Sequence, residues 1–206
     1  MSARTVTWLA TDIVGSRRLF AHQPHAFQAA LTQHDALLRT AVQLHGGRVR
    51  AGLGDGLLAG FRHPVEAVAA AVDGQRALSA TDWGPLPGLA VRMAVYTGEI
   101  ASLVDRGRDP VARQCLRLLV IGHGGQILLS GAAADVVRAQ RPLGASAQAL
   151  GWHRLRDFAP REEVFQLLHP ALPAEFRPLN SRWRDRWRRY AHTLLAPDAR
   201  TGGIQT

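Results

Sequence analysis

Two aspartates stand where a cation or a phosphate could be held. Asp12 and Thr11 end the alternating segment TVTWLA, and Gly15 follows closely. Asp55 lies inside the glycine-dense stretch GLGDG at 52–56. Two carboxylates that met at one point would repel each other, and a divalent cation such as Mg²⁺, bound also by phosphate oxygens, would relieve that repulsion. The pair therefore predicts a metal site, provided that the fold brings the two side chains together.

Each aspartate also has a simpler interpretation, in which Asp12 caps the following turn and Asp55 satisfies a tight hairpin. The residues after Asp12 favour the metal hypothesis. The backbone amides of Val14, Gly15 and Ser16 stand at the entry to a helix, where a polyphosphate can bind without a lysine.

Arginine must carry all the anion binding in this protein. The net charge is +9, and all 25 basic residues are arginines, which excludes Schiff-base chemistry. The charge is uneven: residues 1–170 hold 18 arginines and 13 acids, whereas residues 171–206 hold 7 and 3. We expect one domain at 1–170 and a basic, Trp/Arg-rich extension at 171–206.

The extension contains the segment SRWRDRWRRYAHTLLAP, which is predicted to be helical. Its arginines and tryptophans could bind nucleic acid, although packing on the domain or on a dimer partner is favoured. The single cysteine, Cys115, excludes an internal disulfide and indicates a core residue in a cytoplasmic protein. The dispersed histidines give no zinc spacing, and no apolar run is long enough for a membrane span.

The pattern of apolar residues, glycines and prolines predicts an α+β fold. The expected strands are 5–10, 48–51, 57–61, 89–97, 126–130, 148–155 and 163–168, and the expected helices are 24–45, 64–80, 110–121 and 131–140. The order β-α-β-β-α-β suggests a ferredoxin-like core with an extra C-terminal helix and strands, its helices on one face of a mainly antiparallel sheet. In that order the first strand neighbours the hairpin, so Asp12 and Asp55 would converge.

Five separated blocks resemble the catalytic domain of class III nucleotidyl cyclases, the adenylate and guanylate cyclase family. They are TDIVGS at 11–16, GLGDGLLAGF at 52–61, VRMAVYTGE at 91–99, RLL with HGGQILLS at 117–130, and LGWHRLRDF with VFQLLHP at 150–170. The blocks occur in the family's order and spacing over about residues 5–170.

The resemblance implies an enzyme that uses two Mg²⁺ or Mn²⁺ ions to convert a nucleoside triphosphate to a 3′,5′-cyclic nucleotide and pyrophosphate. Asp12, Asp55 and the carbonyl of Ile13 match the metal ligands. Arg117 matches an arginine that stabilises the transferring phosphoryl group across an antiparallel homodimer, so that neither subunit holds a complete site.

Three positions depart from the family pattern. The lysine that reads the purine is replaced by Ala51, and its usual partner aligns with Arg106, or with Asp105 after a one-residue slip. The asparagine thought to orient the ribose aligns with Arg113, which cannot accept a hydrogen bond. The departures leave two alternatives open. The protein is either an enzyme that is slow or has a changed base specificity, so that its base need not be adenine, or a catalytically silent domain that binds a nucleotide or a regulatory partner.

Overall fold

The computed structural model describes residues 4–100, 109–155 and 161–179. Its strands are Arg4–Ile13 (β1), Arg48–Gly52 (β2), Leu57–Phe61 (β3), Val91–Ile100 (β4), Ile127–Ser130 (β5), Ser146–His153 (β6) and Glu162–Leu168 (β7). Its helices are Ser16–His22 (α1), Pro24–Leu44 (α2), Pro64–Ala80 (α3), Pro110–Ile121 (α4) and Gly131–Gln140 (α5), with a 3-10 turn at Pro142–Gly144.

The strands form one sheet in the order β2-β3-β1-β4-β5-β7-β6. Strands β1 to β4 pair with one another in antiparallel fashion and give the ferredoxin-like order. Strand β5 then adds to β4 in parallel. The α+β class is therefore confirmed. Because β1 lies between β3 and β4, its C-terminal end meets the tip of the β2–β3 hairpin.

The helices cover both faces of the sheet, so the expectation of a single helical face is wrong. Leu9 of β1 belongs to the core beneath α2, α3 and α5, whereas Ala10 belongs to the core beneath α4. The connections β3–α3–β4 and β4–α4–β5 each join two parallel strands and run towards the same edge of the sheet. Because α3 and α4 lie on opposite faces, one connection is right-handed and the other is left-handed. Right-handed connections are the strong norm, and a departure from that norm is invisible in local periodicity.

The chain also forms the short helix α1, which periodicity did not separate from α2. Pro24 lacks an amide hydrogen and restricts Gln23 before it, whose φ of −143° and ψ of 69° separate the two helices. Residues 171–179 lie against the domain: the Gln166 side chain donates to the Ala174 carbonyl at 2.6 Å.

The division at residue 170 remains a prediction, and the predicted helix of the extension lies outside the described residues. Within the described ranges, no helix combines the length and the apolar character that a membrane span requires.

Candidate active site

Asp12 lies near the end of β1 with its side chain on the α4 face of the sheet. It is only 1% exposed, and Arg92 stands directly opposite it on β4. The Arg92 guanidinium donates to the Asp12 Oδ2 through Nε at 2.8 Å and Nη2 at 2.5 Å, and to the Val120 carbonyl through Nη1 at 3.0 Å. The buried carboxylate therefore has a positive partner that offsets the cost of removing it from water.

Asp55 is brought to the end of β1 by the main chain of the β2–β3 hairpin. Its carbonyl accepts from the Ile13 amide at 3.0 Å, and the Leu57 amide donates to the Thr11 hydroxyl at 3.0 Å. Gly56 permits this approach, because a Cβ there would lie 1.9 Å from the Thr11 carbonyl oxygen. The hairpin tip thus places the main chain of Asp55 against the residue after Asp12. Convergence of the two carboxylates on one metal ion remains a prediction.

The turn after β1 supplies a side-chain partner for Asp55. Gly15 has a φ of +82°, which favours glycine, and Ser16 begins α1 with its hydroxyl donating to the Asp55 Oδ2. The Val14 amide donates to the Ala90 carbonyl at 2.8 Å. A phosphate contact from the Val14 amide would have to displace that hydrogen bond. The prediction of phosphate contacts is therefore kept for the amides of Gly15 and Ser16.

The chemistry of this centre fits a divalent cation that arrives with its substrate. Asp12, Asp55 and Ser16 offer oxygen donors, which suit Mg²⁺ or Mn²⁺. In the described part of the chain, no group of three or more His, Cys, Asp or Glu side chains could hold a metal by itself. Phosphate oxygens and water would have to complete the coordination, as is usual for Mg²⁺. A role for the Ile13 carbonyl remains a prediction.

His34 of α2 is a buried residue near this centre that sequence reasoning did not single out. Its ring is fully buried, and Nδ1 lies 3.1 Å from the Asp35 carboxylate. Burial lowers the pKa of His34 below its usual 6.5, while the charges of Asp35, Asp55 and Asp12 oppose that shift. Burial therefore outweighs the three carboxylates and favours the neutral form of the ring.

The helix α4 carries the two predicted arginines, Arg113 and Arg117. Its start is fixed by Asp109, whose side chain accepts from two first-turn amides at 2.8 and 3.0 Å and from the Trp8 indole at 3.0 Å. Arg113 and Arg117 are four residues apart and both half-buried, so they project from the same side of the helix.

Arg117 is engaged by a chain of hydrogen bonds that reaches two strands. Its Nη1 donates to the Gln114 Oε1 at 2.6 Å, and the Gln114 Nε2 donates to the Glu162 Oε1 at 2.7 Å. The Tyr96 hydroxyl donates to the Glu162 Oε2 at 2.6 Å. The side chain is thus tied to α4, β7 and β4 within its own subunit.

The positions predicted to contact the base are only partly described. Ala51 is half-buried on β2 and packs with Trp8 and Tyr96 against the α4-face core. Its methyl group can give a base no hydrogen bond. Arg106 and its alternative Asp105 lie outside the described residues.

Cys115 confirms its expected place in the core. Its sulfur donates to the Trp8 and Ala94 carbonyls at 3.4 and 3.3 Å, and burial raises the pKa of the thiol far above its usual range. A neutral, enclosed thiol is unsuited to nucleophilic chemistry.

Arg92 is the main site residue that sequence reasoning missed. A signal was present, because a lone charged residue interrupts the apolar strand VRMAV at 91–95. Its partner could not be read from that signal, since the pairing depends on the register between β1 and β4.

Comparison with known proteins gives both sequence relatives and structural neighbours, although no family model matches the chain. The uncharacterized protein Rv1359 of Mycobacterium tuberculosis is 33% identical over 191 residues, which cover 89% of this chain and 73% of that protein. The uncharacterized protein Rv0891c of the same organism is 33% identical over 179 residues. The match covers 86% of this chain and only 60% of that relative's length.

The structural neighbours are nucleotide cyclases. Adenylate cyclases from Trypanosoma brucei, solved in their monomeric state, give a TM-score of 0.76 at 22% identity, over 86% of this chain and 93% of theirs. The guanylate cyclase domain of RhGC from Catenaria anguillulae, in complex with GTP, gives 0.68 at 13% identity, over 82% and 98%. A receptor-type adenylate cyclase of Trypanosoma equiperdum is 26% identical over 79% of this chain and 44% of its own length.

The fold thus defines a cyclase-type domain. The chain belongs to the class III adenylate/guanylate cyclase catalytic-domain family.

Proposed function

We propose that this chain is a catalytic domain that converts a nucleoside triphosphate to a 3′,5′-cyclic nucleotide and pyrophosphate at a homodimer interface. The observation that carries the proposal is the placement of Asp55 beside Asp12 by the hairpin tip, held by the hydrogen bond between the Ile13 amide and the Asp55 carbonyl at 3.0 Å. Family membership supplies the reaction class, since cyclases of this family typically use two metal ions.

Asp12, Asp55 and the Ile13 carbonyl are proposed to hold Mg²⁺ or Mn²⁺. When bound, the ions supply activation of the ribose 3′-hydroxyl and stabilisation of the leaving pyrophosphate. The protein contributes position: Arg92 fixes the Asp12 carboxylate, and Ser16 fixes that of Asp55. Gly15 and Ser16 are proposed to contact the phosphates through their amides.

Arg117 is proposed to stabilise charge on the α-phosphate bound at the partner's aspartates. A two-fold dimer would bring each α4 to the carboxylate centre of the other subunit and create two equivalent sites. Arg117 is half-buried on α4, so part of its side chain is accessible to a second subunit, as this role requires.

Base recognition is proposed to differ from that of an adenylate cyclase. The methyl group of Ala51 cannot accept or donate a hydrogen bond, and Arg106 could donate two bonds to carbonyl acceptors such as those of guanine or uracil. We therefore expect a substrate other than ATP.

The direct test incubates the protein with ATP, GTP, CTP or UTP and Mn²⁺, and resolves the products by chromatography. We expect one cyclic nucleotide in excess, abolished in Asp12→Asn and Asp55→Asn. Asp135→Asn is the matched control, because Asp135 is an exposed residue of α5 whose carboxylate pairs only with Arg138 of the same helix among the described contacts. No cyclic product from any nucleotide would overturn the proposal.

Subunit mixing tests the shared site. Alone, Asp12→Asn would be inactive and Arg117→Ala would retain a small residual activity, whereas an equal mixture should recover about one quarter of wild-type activity, because half of the dimers then hold one intact site. An inactive mixture of dimeric variants would exclude a site that takes Asp12 and Arg117 from different subunits.

A second candidate is a silent domain that binds a nucleotide or a regulatory partner without turnover. It is favoured by Arg113, which projects beside Arg117 where the family places a ribose-orienting asparagine. A misplacement of about 1 Å costs on the order of 10²-fold in rate. We expect Arg113→Asn to raise kcat by about tenfold or more, with Arg141→Asn as the control. An inactive wild type that gains activity in Arg113→Asn would establish the silent domain.

A further inference from the structure

The hydrogen-bond chain that ends at Arg117 has only one consistent direction. An ionised Glu162 only accepts, so Gln114 must turn its N–H₂ group towards it. The Gln114 carbonyl then faces Arg117, whose guanidinium only donates. No other orientation of the Gln114 amide satisfies both neighbours. The Glu162 carboxylate therefore determines that the carbonyl of Gln114, and not its N–H₂ group, faces Arg117.

Tyr96 fixes the far end of this chain. Its hydroxyl donates to one Glu162 oxygen while Gln114 donates to the other. Burial, and then the hydrogen bond to Glu162, raise the pKa of Tyr96 above its usual value of 10.0, so the hydroxyl stays protonated and keeps donating. Short hydrogen bonds to an ionised carboxylate are among the stronger ones in proteins, and all three residues are half-buried.

We infer that Gln114, Glu162 and Tyr96 are positioning residues that hold the Arg117 guanidinium in the orientation needed by the substrate. The inference rests on the proposed function, in which Arg117 stabilises the transferring phosphoryl group. A long arginine side chain loses considerable rotamer freedom when it is held in one geometry. Residues that restrict it before the substrate binds reduce that loss at the moment when charge develops.

Glu162→Gln tests the inference because it keeps the shape of the side chain and removes its obligatory acceptor character. The new amide can turn a donor towards Gln114, which would then rotate and face Arg117 with its own N–H₂ group. We expect kcat to fall by about 10-fold to 100-fold, with KM for the nucleotide unchanged. Glu163→Gln, the next residue on β7, is the matched control and should retain wild-type kcat.

Two further variants separate positioning from general stability. Tyr96→Phe keeps the ring and deletes one hydrogen bond, so it should reduce kcat less than Glu162→Gln does. In an Arg117→Ala background, Glu162→Gln should cause no further loss, because both changes remove the same contribution. Losses that multiply in the double variant would overturn the inference.

Subunit mixing locates the effect. Glu162→Gln should complement Asp12→Asn, because Glu162 acts in the subunit that supplies Arg117. It should fail to complement Arg117→Ala, with activity no higher than that of the Glu162→Gln protein alone. The reverse pattern would place Glu162 with the carboxylate centre and overturn the inference.

A measurement without turnover keeps the test independent of the proposed function. In ¹⁵N-arginine-labelled protein, the Arg117 Nε–H resonance can be assigned by its loss in Arg117→Lys. We expect it to shift in Glu162→Gln, because the guanidinium is reoriented when its Nη1 loses the Gln114 carbonyl, and to stay in Glu163→Gln. An unmoved resonance in Glu162→Gln would overturn the inference, whereas an inactive wild type that shows the expected shift would refute only the proposed function.

Discussion

The carboxylate centre and the arginine side of α4 are held in place by different parts of the chain. Asp55 reaches β1 through main-chain hydrogen bonds and through the missing Cβ of Gly56. Arg117 is held instead by the side chains of Gln114 and, through it, Glu162. One half of the candidate site is built mainly by backbone geometry, and the other by polar side chains.

This difference predicts how each half responds to substitution. A contact made by closely approaching backbones has no flexible atoms that could absorb an added methyl group. A chain of polar side chains can lose one member and rearrange, at a cost in orientation rather than in folding. The carboxylate centre should therefore be coupled to stability, and the α4 side to rate.

Arg92 is an exception to this difference between the two halves, because the carboxylate centre also depends on its side chain. Arg92→Met would leave the buried Asp12 carboxylate without its arginine, so we expect the free energy of unfolding to fall by about 3–5 kcal/mol. Urea denaturation followed by circular dichroism measures this change. Adding Asp12→Asn should recover part of the loss.

The matched control for Arg92 is Arg76→Met. Arg76 has a side chain that is 52% exposed and pairs with Asp73 at 3.4 Å, so its removal should cost no more than about 1 kcal/mol. Equal losses in the two variants would mean that the ion pair at Asp12 contributes no more than a surface pair.

Gly56→Ala tests the backbone-built contact directly. Because the added Cβ would meet the Thr11 carbonyl oxygen, the hairpin tip must move away from β1, and we expect a loss of about 1–3 kcal/mol in unfolding free energy. The same movement should weaken Mn²⁺ binding, which paramagnetic resonance of free Mn²⁺ can follow. Gly52→Ala, where an added Cβ meets nothing within 4 Å, should change neither quantity. Unchanged Mn²⁺ affinity in Gly56→Ala would separate Asp55 from the metal site.

Much of this architecture could be predicted from local sequence signals. The bounds of α3 and α4 were predicted correctly because a proline opens each helix, and β3 because glycines precede it. The meeting of the end of β1 with the tip of the β2–β3 hairpin followed from the ferredoxin-like strand order. These features depend on residues near in sequence and on one topological rule.

The features that were missed depend on relations between distant elements. The position of α4 on the opposite face follows from the hand of a connection, which has no local pattern. The pairing of Arg92 with Asp12 depends on the β1–β4 register, and the link from Gln114 to Glu162 joins residues 48 positions apart. Such contacts are set by tertiary packing, so the type of residue alone could not reveal them.

His34 offers the most sensitive test of how far the carboxylate centre acts. The unfolded chain binds a proton on His34 near pH 6.5, but burial lets the folded protein do so only at lower pH. The free energy of unfolding should therefore decline as pH falls below 6.5, by at most about 1.4 kcal/mol per pH unit, until the folded pKa is reached. Urea denaturation at about pH 7.5 and about pH 5.5 should show a smaller decline in His34→Gln than in the wild type.

His25→Gln is the control for this pH dependence, because His25 is exposed and should leave the decline unchanged. Asp55→Asn sharpens the test. It removes one of the charges that raise the pKa of His34, so the folded pKa should fall further and the pH range of declining stability should extend lower. If the decline in Asp55→Asn matches that of the wild type, the charge of Asp55 does not reach His34 on α2.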